Sequence, residues 1–77
     1  MIQQYIFHKG HTPDEVIQAK LLRSSYFREH QLGVEYHEGQ VTLSGTVSSY
    51  YQKQVAQESV RGMTGVDQIE NNIVVSR

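Results

Sequence analysis

Two runs of alternating residues meet at Glu38-Gly39, and this junction constrains the fold more than any other stretch of the chain. Before it, Leu32, Val34 and Tyr36 alternate with Gly33 and Glu35. After it, Val41, Leu43 and Val47 alternate with Thr42, Ser44 and Thr46. Successive strand side chains point to opposite faces, so each run predicts a strand with one apolar face. Glu38-Gly39 predicts a tight turn, with Gly39 free to adopt positive φ, and the two runs become an antiparallel hairpin. Gly45 falls at an inward position of the second strand. A strand glycine marks a bulge or the close approach of another backbone, and a helix laid over the sheet is the expected neighbour.

Helix signals flank the hairpin. Thr12-Pro13-Asp14-Glu15 carries an N-cap, a proline at the first helical position and a glutamate placed to close a capping box. This predicts a first helix from about Pro13 to about Arg28. Its apolar residues form two rows, Ile17 with Leu21, and Val16 with Ala19, Leu22 and Tyr26, and the pattern does not choose between them. Ser49 and Gln52 form a second capping box. Behind it, Val55, Ala56, Ser59, Val60 and Met63 share one sector of a helical wheel, with Gln54, Gln57, Glu58 and Arg61 opposite. Gly62 or Gly65 is expected to end that helix in a left-handed cap. From Val66 to Val75 the chain reads as a third strand, with Ile69, Ile73 and Val75 on one face and Asn71 among them.

The order is therefore α-β-β-α-β, an α+β fold. The crossover between the second and third strands makes them parallel. A three-stranded mixed sheet with two helices packed on one face buries the apolar rows. Residues 12–77 form this domain, and residues 1–11 are an N-terminal extension. Ile2, Tyr5, Ile6 and Phe7 leave three readings of that extension open: an added edge strand, a dimer contact, or the tail or linker of an upstream domain.

Composition removes several function classes. The chain has 77 residues and no Cys, so it is one domain without disulfides or thiolate chemistry. A net charge of −1 lacks the basic surplus with which proteins hold nucleic acid by its phosphates. No apolar run is long enough to span a bilayer, and Met1 to Lys9 lacks the build of a signal peptide. Ser44, Ser48 and Ser49 fall on a strand and a helix cap rather than on a nucleophile elbow, so no catalytic residue is expected. His8, His11, His30 and His37 read as surface histidines and not as metal ligands, because Gly10 and Pro13 argue against the helix that would align the first pair. Gly62-Met63-Thr64-Gly65 has the spacing that KH domains use to clamp a nucleic-acid backbone, but it joins a helix to a strand and carries no basic residue.

The string Gly39-Gln40-Val41-Thr42-Leu43-Ser44-Gly45-Thr46-Val47, followed by Gln54, Ala56 and Glu58 and then by Gly65-Val66, Ile69, Asn71-Asn72-Ile73 and Val75, resembles the BON domain. That family takes its name from bacterial osmotically induced periplasmic proteins and nodulation proteins. The likeness runs from about Leu32 to Val75, and the first helix fits the family's first element. It implies an α-β-β-α-β fold and a binding role without catalysis, with phospholipid surfaces as the usual proposal; no cofactor is expected. It also implies a periplasmic or membrane-peripheral setting. Gly39, Gly45, Gly65 and Asn71 are its structural motif positions, and an inward Asn71 is expected to satisfy backbone groups at an element end.

Two aromatic-basic edges fit such a partner. Tyr50 and Tyr51 open the second helix with Lys53 behind them, and Lys20, Arg23 and Arg28 accompany Tyr26 and Phe27 on the first. Tyrosine suits a headgroup layer because its ring is apolar and its tip polar, and a cation can meet an anionic headgroup. The lipid-contact candidates are therefore Lys20, Arg23, Tyr26, Arg28, Tyr50, Tyr51 and Lys53. The alternative is a protein-interaction or self-association module that uses the exposed sheet edge or the N-terminal segment.

Overall fold

The computed structural model describes residues 12–28 and 31–76. The N-terminal extension, with His8 and His11, and also His30, lie outside the described residues. The first element, α1, spans Pro13–Leu22. Thr12 Oγ1 accepts the Glu15 N–H at 3.3 Å and Glu15 Oε1 accepts the Thr12 N–H at 3.3 Å, which completes the expected capping box. Ile17 and Leu21 are the buried row, so the core chooses between the two candidate stripes.

The helix stops well before Arg28. Ser24 Oγ accepts the Tyr26 N–H at 3.2 Å, a local bond that competes with helical pairing. Phe27 then turns into the core, where it is 7% exposed. Residues 24–28 are thus an irregular segment anchored by one buried ring, and Tyr26 and Arg28 do not belong to the first helix.

The hairpin forms as expected from β1 (Leu32–His37) and β2 (Gln40–Val47), antiparallel from Leu32↔Gly45 to His37↔Gln40. Glu38 and Gly39 have φ of 47° and 87°. Positive φ at both central residues matches the twist of the strands that the turn joins. Gly45 has φ +123°, and a Cβ there would lie 2.5 Å from the Gln31 carbonyl oxygen and 3.2 Å from Leu32 Cα. The close neighbour is therefore the entry to β1, not a helix.

The second helix, α2, spans Tyr50–Val60 with Ala56 and Val60 buried. Ser49 Oγ accepts the Gln52 N–H at 3.2 Å, but Gln52 Oε1 reaches past the cap to the Ser48 N–H at 3.0 Å. The expected capping box is half made. The chain leaves α2 through Arg61, whose backbone is extended, and Gly62 follows it with a φ of 84°. Met63 N–H to Val60 O (3.2 Å) and Val66 N–H to Met63 O (3.1 Å) close two successive turns, into which the Gly-x-x-Gly string is folded. Tyr36 Oη donates to the Gly65 carbonyl at 2.7 Å and fastens these turns to β1.

The third strand arrives in two pieces, β3 (Gln68–Asn71) and β4 (Val74–Val75). Both pair in parallel with β2, through Leu43↔Asn71 in one and Thr46↔Val74 in the other. Both strands advance equally between those pairs, so the register is continuous across the break. The sheet remains three strands wide, in the order β1-β2-β3 with β4 continuing along β2.

Ile17 and Leu21 of α1, Ala56 and Val60 of α2, and Leu32, Val41, Leu43, Val47 and Ile73 from the sheet form one core with Phe27. Both helices cover the same sheet face. The other face is polar, with Glu35, Thr42 and Glu70 in one row across the strands.

Candidate functional site

The end of the sheet where β2 finishes gathers chain segments that are distant in sequence. Gln31 Nε2 donates to the Thr46 carbonyl at 3.2 Å, and the Ser76 N–H donates to the Val47 carbonyl at 2.8 Å. Gln31 Oε1 also accepts the Arg28 N–H at 2.9 Å. One glutamine thereby ties the irregular segment to the end of β2.

Gln52 makes the second tie. Its Nε2 donates to the Tyr26 carbonyl at 3.0 Å, while its Oε1 holds the Ser48 N–H and, at 2.9 Å, the Ser48 hydroxyl. This is why the capping box at Ser49 is incomplete: Gln52 joins the start of α2 to residue 26 and to the residue before the cap.

These ties bring two of the candidate rings together. The Tyr26 and Tyr51 rings meet edge-on, with centroids 5.5 Å apart and planes at 73°. That geometry suits the charge distribution of aromatic rings. Both are exposed, Tyr26 at 44% and Tyr51 at 61%. Tyr51 raises the Tyr26 pKa above the ordinary tyrosine value, first by side-chain hydrogen bonding and then by electrostatic repulsion, with a smaller contribution from desolvation.

Beside the pair lies an open hollow of about 700 Å³, lined among others by Ser25, Arg28, Thr46, Ser48 and Ser76. Arg28 is the one charged residue among the described residues that line it.

The remaining candidates divide. Tyr50 is 63% exposed at the same end of α2. Helical geometry turns it about 100° from Tyr51 and toward the flank of Lys53 and Gln57. That flank faces β3, because Asn71 Nδ2 donates to the Lys53 carbonyl at 3.0 Å and to Gln57 Oε1 at 3.1 Å. Gln57 is therefore not on the solvent side of the wheel. Lys20 and Arg23 line a separate hollow of about 290 Å³ with Val16, Ala19 and Met63. Of the seven candidates, Tyr26, Tyr51 and Arg28 come together at the end of the sheet, Lys20 and Arg23 share a patch at the end of α1, and Tyr50 and Lys53 lie on another flank of the first turn of α2.

Charge is distributed unevenly. Among the described residues, Lys20 and Lys53 lie on the helices, Arg23 and Arg61 at their C-caps, and Arg28 on the irregular segment between α1 and β1. The strands and the hairpin turn carry Glu35, Glu38 and Glu70 without a Lys or Arg. Asp67 joins the acidic hairpin end, its N–H donating to the Gly39 carbonyl at 2.7 Å. Arg61 is paired with Glu58 at 3.0 Å. His37 is exposed and 3.9 Å from Glu38 Oε1. Among the described residues, no group of three or more His, Cys, Asp or Glu could hold a metal ion, and no helix is long and apolar enough to cross a membrane.

Residues 14–77 match the family model of the BON domain. The chain belongs to the BON domain family. BON domains are of a binding, non-enzymatic type. No curated protein matches the chain.

Sequence reasoning did not find the hollow or its two glutamine ties. A glutamine that bridges segments leaves no periodic trace. One signal was present, however. The Ser24-Ser25 pair inside the expected first helix is poor helix material, because short hydroxyl side chains bond the nearby backbone instead.

Proposed function

We propose that this BON domain attaches peripherally to phospholipid surfaces through the end of the sheet that carries Tyr26, Tyr50 and Tyr51. The rings sit in the headgroup layer, and Arg28 and Lys53 meet anionic headgroups. The observation that carries this reading is the exposed Tyr26–Tyr51 contact beside a hollow whose one charged lining residue, among those described, is a cation. The charge distribution supports the same orientation, since Glu38 and Asp67 lie at the opposite end. Lys20 and Arg23 form a secondary patch in this reading. A net charge of −1 makes attachment by one module weak, so stable anchoring needs more than one copy. The setting that goes with this role, a periplasmic or membrane-peripheral one, rests on the family alone.

The test is an amide chemical-shift titration of the whole chain with anionic and with zwitterionic phospholipid micelles. Shifts centred on residues 26–28 and 50–53, stronger with the anionic lipid and weakened by salt, are the expected result. An unchanged spectrum at high lipid would remove the membrane reading. If mass in solution rose with concentration at the same time, the domain would be a self-association module instead.

A further inference from the structure

We infer that the hollow beside the Tyr26–Tyr51 pair is the seat of a phosphate ester, with the Arg28 guanidinium as its charged contact, and that a phospholipid headgroup supplies the ester. This rests on the membrane reading above and adds to it the chemistry of the group that is recognised. Four observations lead to it.

The walls of the hollow are preorganised. Both ends of the Gln31 amide and both ends of the Gln52 amide are used to fasten residues 26 and 28 to β2 and to α2. Those glutamines hold the shape and are not left to bind. Phe27, buried between Tyr26 and Arg28, fixes the backbone from which the guanidinium projects.

The groups left over are those a phosphate requires. The Arg28 guanidinium is engaged by none of the ion pairs or hydrogen bonds of the described residues, and neither are the hydroxyls of Ser25, Thr46 and Ser76. A guanidinium presents a planar fork of donors that matches two phosphate oxygens, and hydroxyls can donate to the rest.

Electrostatics agree, because no carboxylate stands among the described residues that line the hollow. The size also agrees. A volume of about 700 Å³ open to solvent admits a headgroup, while the exposed rings at its rim meet the lipid around it.

The experiment compares the whole chain with its Arg28→Ala, Arg28→Lys and Arg61→Ala variants. Binding to vesicles of anionic and of zwitterionic phospholipid is measured, together with amide titrations using glycerol phosphate and inorganic phosphate. The expected result is a loss of about tenfold in anionic-vesicle affinity for Arg28→Ala, with part retained by Arg28→Lys. Arg61→Ala removes the same charge elsewhere and is expected to stay within about twofold of the parent. Glycerol phosphate is expected to shift the amides of Ser25, Arg28, Thr46 and Ser76.

Undiminished vesicle binding by Arg28→Ala, with binding lost in Tyr26→Ala and Tyr51→Ala, would overturn the phosphate seat and leave the membrane reading standing. Equal losses in Arg28→Ala and Arg61→Ala would reduce the effect to net charge and overturn it as well. Phosphate-dependent shifts at the hollow without binding to any vesicle would assign it to a free phosphate ester and overturn the headgroup as the source.

Discussion

The side-chain amide of Asn71 donates to the Lys53 carbonyl oxygen at 3.0 Å, so a strand residue on the inner face of the sheet is bonded directly to the first turn of α2. The same NH₂ group donates to Gln57 Oε1, and Asn71 Oδ1 accepts the Ile73 N–H at 3.2 Å. The break between β3 and β4 follows from this last bond. In the parallel ladder the N–H groups of Asn72 and Ser76 go to β2, while Ile73 finds its partner in the side chain two residues earlier. The outer edge of the sheet is therefore not a continuous row of free backbone groups, which limits its use as a template for another strand.

Asn71→Ala is expected to lower unfolding free energy by about 2–3 kcal/mol, because it strands part-buried partners on two elements. Denaturant unfolding measures the loss. Asn71→Asp is expected to cost at least as much, since a carboxylate accepts but cannot donate to Lys53 O and Gln57 Oε1. A loss below about 0.5 kcal/mol in both variants would mean that the amide bridge is not a principal tie.

Gly45→Ala puts a methyl group against the Gln31 carbonyl at a backbone angle that L-residues rarely adopt. The expected cost is above about 2 kcal/mol, with the largest amide shifts at Gln31 and Leu32 rather than on either helix. Shifts centred on α1 or α2 would contradict the contact with the entry to β1.

Ile17→Ala empties a fully buried position on α1. A cost of about 2–5 kcal/mol is expected in thermal or denaturant unfolding. Leu22→Ala, on the exposed row of the same helix, should stay within about 0.5 kcal/mol. The two variants together test which stripe faces the core.

Tyr26 is expected to ionise at higher pH than free tyrosine, and Tyr51→Phe to bring it back toward the ordinary value. Carbon-13 shifts of the phenol rings followed into alkaline solution read this directly. The sign follows from the raised pKa. The folded protein holds the Tyr26 proton more tightly, so the contact's contribution is complete below the ordinary tyrosine pKa and is lost as pH rises through the raised one. A Tyr26 titration unaltered by Tyr51→Phe would show that the two phenols do not interact in solution.

The sheet, both helices and the buried face of the hairpin could be read from the sequence because each rests on local periodicity or on a capping pair. Alternation fixed Val41, Leu43 and Val47 inward, and Thr12 with Glu15 fixed the start of α1. What could not be read was set by long-range bonds. The end of α1 depends on Phe27 finding the core, the half-made cap of α2 depends on Gln52 being drawn to residue 26, and the broken third strand depends on Asn71 reaching across to α2. The candidate site was legible as residue types only. Tyr26 and Tyr51 lie far apart in sequence, and only the chain's return past the end of β2 makes them neighbours.

β2 pairs with every other strand, and those pairings differ greatly in the length of chain they enclose. Leu32↔Gly45 and the pairs within it close around a two-residue turn, whereas Gln40↔Gln68 must wait for the whole of α2 to be laid down. Loop closure costs more as the enclosed chain lengthens, and distant pairings are correspondingly slow. The hairpin is thus the expected nucleus of folding, and every pairing that encloses α2 is expected to follow it.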